Sequence, residues 1–236
     1  MISVIIPVYN EEELLESSVW TVHKYMLERS IAHEIIVVSN GSTDRTIEIG
    51  KALSTAQADW FSFIHLEERG VGRAFVAGVL QAKKEFIVSL DIDLPADLIF
   101  IDLSNELLKH CDMLVGSKSM GNQHRALTRI LGSQLYIVFA QILFRLTISD
   151  YAPSTKAYRR TSILPLLPFL DPWTGYVFEL CVNFRLNKKK VLQIGIDCED
   201  LRRSRFNLFH EGIYRYNHLF RCFRLLHQNK SWLNSP

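Results

Sequence analysis

Short apolar segments rich in Ile and Val recur through the first half of this chain, each followed by a stretch of helical period. That alternation limits the possible folds more than any other feature. Continuous apolar runs suit strands buried on both faces, and intervening amphipathic helices supply the cover, so the pattern predicts βαβ units and a mainly parallel sheet. Strands are expected at Ile2–Val8, Glu34–Ser39, Trp60–Leu66, Phe86–Leu90 and Asp112–Gly116. Helices are expected at Glu11–Arg29, Thr43–Gln57, Val71–Lys83 and Pro95–Lys109. Ligands of such sheets bind beyond the carboxyl ends of the strands, which here fall near Pro7, Ser39, Asp91 and Ser117.

The fourth strand reads FIVSL and ends in Asp91-Ile92-Asp93. An unpaired carboxylate at the end of a buried strand is costly, so two of them one residue apart call for a partner. Hard oxygen ligands suit Mg²⁺ or Mn²⁺, which commonly join one or two carboxylates to substrate phosphates. Alone, the pair also fits a turn or the cap of the helix opened by Pro95.

After Gly116 the pattern changes. A long amphipathic helix is expected over Leu127–Leu146, then an irregular stretch over Ser149–Arg160 and a connection holding Pro165, Pro168 and Pro172. A helix over Val177–Leu186, a strand over Val191–Ile196 and a long helix over Phe206–His227 complete the chain. No linker divides it, so one continuous domain is expected, with residues 1–120 and 121–236 as its two halves.

The net charge of +2 implies no bulk attraction to nucleic acid, although Arg202, Arg203, Arg205, Arg215, Arg221 and Arg224 make the end locally basic. Cys111, Cys181, Cys198 and Cys222 lack zinc or disulfide spacing, and reduced cytosolic thiols are expected. The chain opens on a strand with no signal-peptide pattern. Its longest apolar helix is interrupted by Arg129, Gln134, Gln141 and Arg145, whereas a span needs about twenty mostly apolar residues. Leu131, Leu135, Val138, Phe139, Ile142 and Leu146 share one face of that helix. Phe209, Ile213, Tyr216, Phe220 and Phe223 form a seam on the last helix, beside His210, Asn217, Arg221 and Arg224. Such faces suit either a membrane interface or ordinary core packing.

Four strand-end loops carry motifs in order: Pro7-Val8-Tyr9-Asn10-Glu11, Ser39-Asn40-Gly41-Ser42-Thr43-Asp44, Arg69-Gly70-Val71-Gly72-Arg73 and Asp91-Ile92-Asp93. Locally, Ser42 and Asp44 are candidate helix caps, and Gly70 and Gly72 open a helix whose amides suit a phosphate. Together the four loops resemble the nucleotide-sugar domain of inverting glycosyltransferase family 2, which has the GT-A fold, a Rossmann-like α/β arrangement. The resemblance implies that Pro7, Tyr9 and Glu11 contact the nucleotide, that Asn40 and Gly70 line its site, and that Asp91 and Asp93 hold the metal. Where the family has two Asp, this chain has Ser39 and Asn40, so an amide replaces the carboxylate that reads the base.

The second half resembles the polyprenyl-phosphate transferases of that family, including dolichol-phosphate mannose synthases. Ser149-Asp150-Tyr151 and Ser154-Thr155-Lys156-Ala157-Tyr158-Arg159 parallel their SDxxSGFRAYRR segment, with Thr155 and Lys156 read in place of Gly-Phe. Gly116-Ser117-Lys118 parallels their GSR. Arg129 and Ser133, four apart on one helical face, match the pair that holds the acceptor phosphate. Ser204-Arg205-Phe206-Asn207 resembles the loop that closes over the nucleotide, with Arg202 and Glu199 departing from its pattern.

The resemblance implies transfer of a hexose, mannose or glucose, from a GDP- or UDP-linked donor to a polyprenyl phosphate. Lys118, Arg129 and Ser133, with Arg125, would bind the acceptor. A lipid phosphate is already an anion and needs cations for positioning, not a base. A peripheral enzyme on the cytosolic face of a membrane follows, with or without a membrane-embedded partner. Two alternatives are transfer to a soluble glycan, with Glu199 or Asp200 as base, and a catalytically degenerate scaffold subunit.

Overall fold

The computed structural model describes residues 1–94, 98–118, 120–121, 123–124, 127–199 and 208–227, with the backbone alone described at 123–124, 127–133, 198–199, 208–209 and 227. The first half alternates β1 (Ile2–Val8), α1 (Leu15–Glu28), β2 (His33–Asn40), α2 (Thr46–Ala56), β3 (Phe61–Leu66), α3 (Val71–Gln81), β4 (Phe86–Ser89), α4 (Ile99–Leu107) and β5 (Met113–Ser117). The expected strands are present. α1 begins at Leu15, because the Leu14 and Leu15 amides both donate to Glu11 O and make a turn first.

The second half holds β6 (Gln123–His124), α5 (Leu127–Phe144), β7 (Lys156–Arg159), α6 (Arg160–Ile163), a 3-10 turn (Leu164–Phe169), α7 (Tyr176–Leu186), β8 (Val191–Gly195), β9 (Cys198–Glu199) and α8 (Leu208–His227). The main sheet has seven strands in the order β3-β2-β1-β4-β7-β5-β8. All its pairs are parallel except those of β7, which lies antiparallel between β4 and β5. The segment expected to be irregular thus supplies a central strand. β7 escapes the apolar pattern because it starts on Lys156 and ends on Arg159.

Both faces of the sheet are buried. Along β1, Ile5 faces a core built with α3, α5 and α7, while Ile2, Val4, Ile6 and Val8 face a second core with α1 and α4. Each fully buried side chain of this size contributes about 1.5–3 kcal/mol. These two layers fix the carboxyl ends of β1, β2, β4 and β5 along one edge, where the motifs lie.

α5 and α8 pack together on α7. Phe144 meets Phe178 and Phe223 edge-on at 4.9 and 6.0 Å, and Tyr136 meets Tyr216 at 5.6 Å. Tyr136, Ile137, Ala140 and Phe144 turn inward. The apolar face expected on this helix divides: Leu135, Val138, Phe139 and Ile142 are exposed, whereas Leu146, just past the helix end, is buried in the core. Ile213 and Phe220 are also exposed on α8. Among the described residues, no helix is long and apolar enough to cross a membrane.

Candidate active site

The β1 and β2 ends are stitched together by side chains. The Asn40 Nδ2 donates to Val8 O at 2.7 Å, and its Oδ1 accepts from the Gly70 amide at 3.1 Å. Ser42 Oγ accepts from Asn10 N, Thr46 Oγ1 from Glu11 N, and Asn10 Oδ1 from Thr43 N. Asp44 receives the Thr46 amide at 3.0 Å, so it caps α2 as its position suggested. Burial opposes its charge, yet bonds from the Thr46 hydroxyl and amide and the Glu12 amide hold its carboxyl below the usual range.

These contacts change the expected roles of Asn40 and Gly70. Asn40 is buried and bonded at both ends of its amide, making it a brace between three loops instead of a free reader of a base. The Gly70 amide assigned to a phosphate is occupied by that brace. The open faces of the glycines are covered by protein: a Cβ on Gly70 would lie 2.7 Å from Pro172 O, and one on Gly72 2.1 Å from Asp171 O. The neighbouring Arg73 amide donates to Pro172 O.

The 171–175 loop that covers them is clamped from α8. Trp173 Nε1 donates to Glu211, as does the Thr174 hydroxyl, and Arg215 Nε pairs with the same carboxylate at 2.7 Å. Asp171 accepts the Trp173 and Gly175 amides and the Tyr214 hydroxyl. Arg69, quoted in the third loop motif but given no role there, lays its guanidinium 3.7 Å from the Tyr9 ring centroid and 5.7 Å from that of Trp173. Pro7 and Tyr9 are half-buried at this edge, and Glu11 is buried beneath it.

Asp91 and Asp93 follow β4, the first half-buried and the second exposed. The Asp91 amide donates to Ser154 Oγ at 3.0 Å. Burial pushes the Asp91 carboxyl above its usual range; the Lys118 ammonium opposes this, and the Asp93 carboxylate adds to it. Lys118, at the β5 end, therefore acts electrostatically on Asp91. Its backbone amide donates to Asp150 Oδ2 at 3.1 Å.

Lys156 is fully buried and donates to Asp150 Oδ1, Gly116 O and Ser154 O. This corrects the expected alignment. Lys156 lies six residues after Asp150, the same interval that separates Asp from Arg in SDxxSGFRAYRR. It thus holds the cation position of that segment, and Ser154-Thr155 fall on Gly-Phe. Burial favours a neutral Lys156, while the neighbouring Asp150 carboxylate favours its charge.

The backbone at Arg129 and Ser133 belongs to the first two turns of α5, and Glu199 pairs through β9 with His124. The side chains of these residues, and Arg125, Asp200 and the Ser204–Asn207 motif with Arg205, lie outside the described residues.

A second ligand-type cluster sits between α7 and α8, where donor atoms of Glu179, His218 and Cys222 lie within 4.8 Å of one another. The sulfur is 3.9 and 3.7 Å from the two ring nitrogens, so it flanks the imidazole and does not share an in-plane ligand direction at Nε2. His218 instead bonds Glu179 at 2.9 Å, a clamp between helices.

Residues 3–164 match the model of Glycosyl transferase family 2. The chain belongs to that family. It is 30% identical over 168 residues to an undecaprenyl-phosphate 4-deoxy-4-formamido-L-arabinose transferase of Pseudomonas aeruginosa (strain LESB58), covering 71% of this chain and 49% of that protein. The Pseudomonas fluorescens (strain Pf0-1) protein of the same name is 31% identical over 169 residues, with 70% and 49% covered. The chain therefore spans about half the length of the curated relatives it matches. In fold it is similar to glucosyl-3-phosphoglycerate synthase from Mycobacterium tuberculosis in complex with UDP, with TM-score 0.69, 18% identity, and 100% of this chain and 81% of that chain covered. The same synthase with Mn²⁺, UDP and phosphoglyceric acid gives TM-score 0.65 at 18% identity, covering 100% and 79%. The likeness identifies the mainly parallel sheet flanked by helices as the GT-A type.

Proposed function

We propose that this family 2 chain is an inverting hexosyltransferase that moves a sugar from a nucleotide diphosphate to a polyprenyl phosphate at a membrane surface. The observation that carries the reading is the placement of Asp91 and Asp93 at the strand-end edge, with Asp91 under the electrostatic influence of Lys118. Residues 1–120 form the donor half and 121–236 the acceptor half. Tyr9, Pro7 and Glu11 border the nucleotide, and Arg69 takes part where Asn40 is committed to the fold.

A divalent cation fits the acidic pair: both ligands are hard oxygens, and their mutual repulsion is relieved by positive charge. Asp91 and Asp93 would hold Mg²⁺ or Mn²⁺, which when bound stabilises charge on the departing diphosphate. Mn²⁺ is favoured by the similar synthase, which was solved with that ion and UDP. Lys118, with Arg129, Ser133 and Arg125, orients the acceptor phosphate, and Arg205 closes on the donor.

The acceptor class is supported by the names of the relatives and by the carboxylates around the edge. Among the described residues, Asp150 is bonded to Lys156, Asp171 receives two amides and a hydroxyl, and Glu179 bonds the Asp171 amide and His218. A phosphate oxygen attacks without a base, so such commitments cost it nothing. The exposed Leu135, Val138, Phe139 and Ile142 offer an apolar surface to the membrane that carries the lipid, on its cytosolic face, with a membrane-embedded partner as a further neighbour.

The test is a calorimetric scan of GDP-mannose, UDP-glucose and UDP-GlcNAc with and without Mn²⁺. One donor should bind in a metal-dependent way, and Asp93→Ala should weaken that binding by roughly tenfold or more. Full metal-dependent binding by folded Asp93→Ala would rule out the metal assignment.

A further inference from the structure

A charged residue sealed inside the sheet edge is costly to maintain, and Lys156 is there with a matched carboxylate. Its three bonds run to two segments: Asp150 and Ser154 in the loop before β7, and the carbonyl of Gly116 at the end of β5. Asp150 in turn accepts the amides of Lys118 and Ala152. The turn at 116–118 is thus held twice by one ion pair, through Gly116 O and through Lys118 N. Ser117 Oγ and Ser149 Oγ, 3.0 Å apart, add a third tie.

Thr155 is held in the left-handed region at φ 55, a costly setting for a β-branched residue. There its amide donates to Ser89 O and its carbonyl accepts the Gly116 amide, so it bridges β4 and β5. A Cβ on Gly116 would meet Thr155 O at 2.8 Å. Strain and a buried charge are concentrated at one place, beneath Lys118.

We propose that the Lys156–Asp150 pair makes Lys156 a positioning residue for the acceptor phosphate: it fixes the 116–118 turn that carries Lys118 at the carboxyl end of β5, along the same edge as Asp91. The inference rests on the proposed function and deepens it. Lys156 acts through the turn and touches no substrate. The donor end is less dependent on the pair, because Thr155 N to Ser89 O still anchors Ser154, the partner of Asp91 N.

The test uses the double variant Asp150→Asn/Lys156→Met, which removes both charges and leaves neither orphaned, beside the conservative Lys156→Arg. The double variant should melt close to the wild type, since neutral replacement of buried pairs is often tolerated. Its KM for polyprenyl phosphate in vesicles should rise roughly tenfold or more, since small misplacements near reacting groups are expensive. Donor affinity with Mn²⁺ should change much less than the acceptor KM, because the Thr155 N to Ser89 O bond still anchors Ser154. Amide hydrogen exchange at Gly116–Lys118 should accelerate, whereas Lys156→Arg should keep both the acceptor KM and the exchange close to the wild type. A folded double variant with unchanged acceptor KM and unchanged exchange would overturn the proposal. So would donor and acceptor affinities falling together, which would mark a general packing role. If the wild type glycosylates no polyprenyl phosphate, the proposed function fails by itself, and the exchange measurement still decides whether the pair fixes the turn.

Discussion

Replacing Ile142 by Ser should loosen the protein from membranes without loosening its fold. Ile142 lies on the outward face of α5 and is 70% exposed. Full transfer of such a side chain from water to an apolar phase is worth about 1.5–3 kcal/mol, so the exposed part carries about 1–2 kcal/mol of membrane attachment. At about 1.4 kcal/mol per factor of ten, the variant should bind vesicles roughly 5- to 30-fold more weakly. Stability should change by no more than about 0.5 kcal/mol, as for other surface substitutions. Ile137, buried on the opposite face of the helix, gives the contrasting control. Ile137→Ala should cost about 2–5 kcal/mol of stability and leave the vesicle affinity of the folded fraction intact. Co-sedimentation with anionic vesicles and thermal melts measure the two quantities. Folded Ile142→Ser that binds vesicles as tightly as the wild type would refute the assignment of this face to the membrane.

Two other perturbations separate parts of the account. Gly72→Ala places a methyl 2.1 Å from Asp171 O, a backbone atom, so the 171–175 loop must shift; a stability loss of about 1–3 kcal/mol and weaker donor binding are expected in melts and calorimetry. Burial opposes the charge of Asp112, but the Ser162 hydroxyl, the Lys190 amide and the Lys189 ammonium prevail and hold its carboxyl low. A depressed folded value means its stabilisation is complete above about pH 4 and is lost as pH falls through the folded value, so Asp112→Asn should flatten the acid limb of a stability–pH curve.

The parallel strands were legible because each is an apolar run closed by a turn, and the acidic pair was legible because charge interrupts such a run at Asp91. β7 was hidden by its own chemistry: Lys156 reads as a surface residue until Asp150 is seen beside it. The brace at Asn40 and the stacking of Arg69 on Tyr9 join residues about thirty to sixty positions apart, and local pattern carries no record of such contacts. The clamp of Glu211 on Trp173 and Thr174 is of the same kind. The apolar stripe of α5 was visible, but periodicity alone could not tell which flank faced the core; the rings of α7 and α8 take Tyr136 and Phe144 and leave Ile142 outside.

The central claim is tested most directly by mass spectrometry of the products formed from a donor panel, Mn²⁺ and polyprenyl phosphate in vesicles, with a soluble glycan acceptor alongside. The account predicts one donor consumed, its hexose recovered on the lipid phosphate with inverted anomeric configuration, and loss of that product in Asp91→Asn. Sugar recovered only on the glycan, or lipid product undiminished in Asp91→Asn, would contradict it.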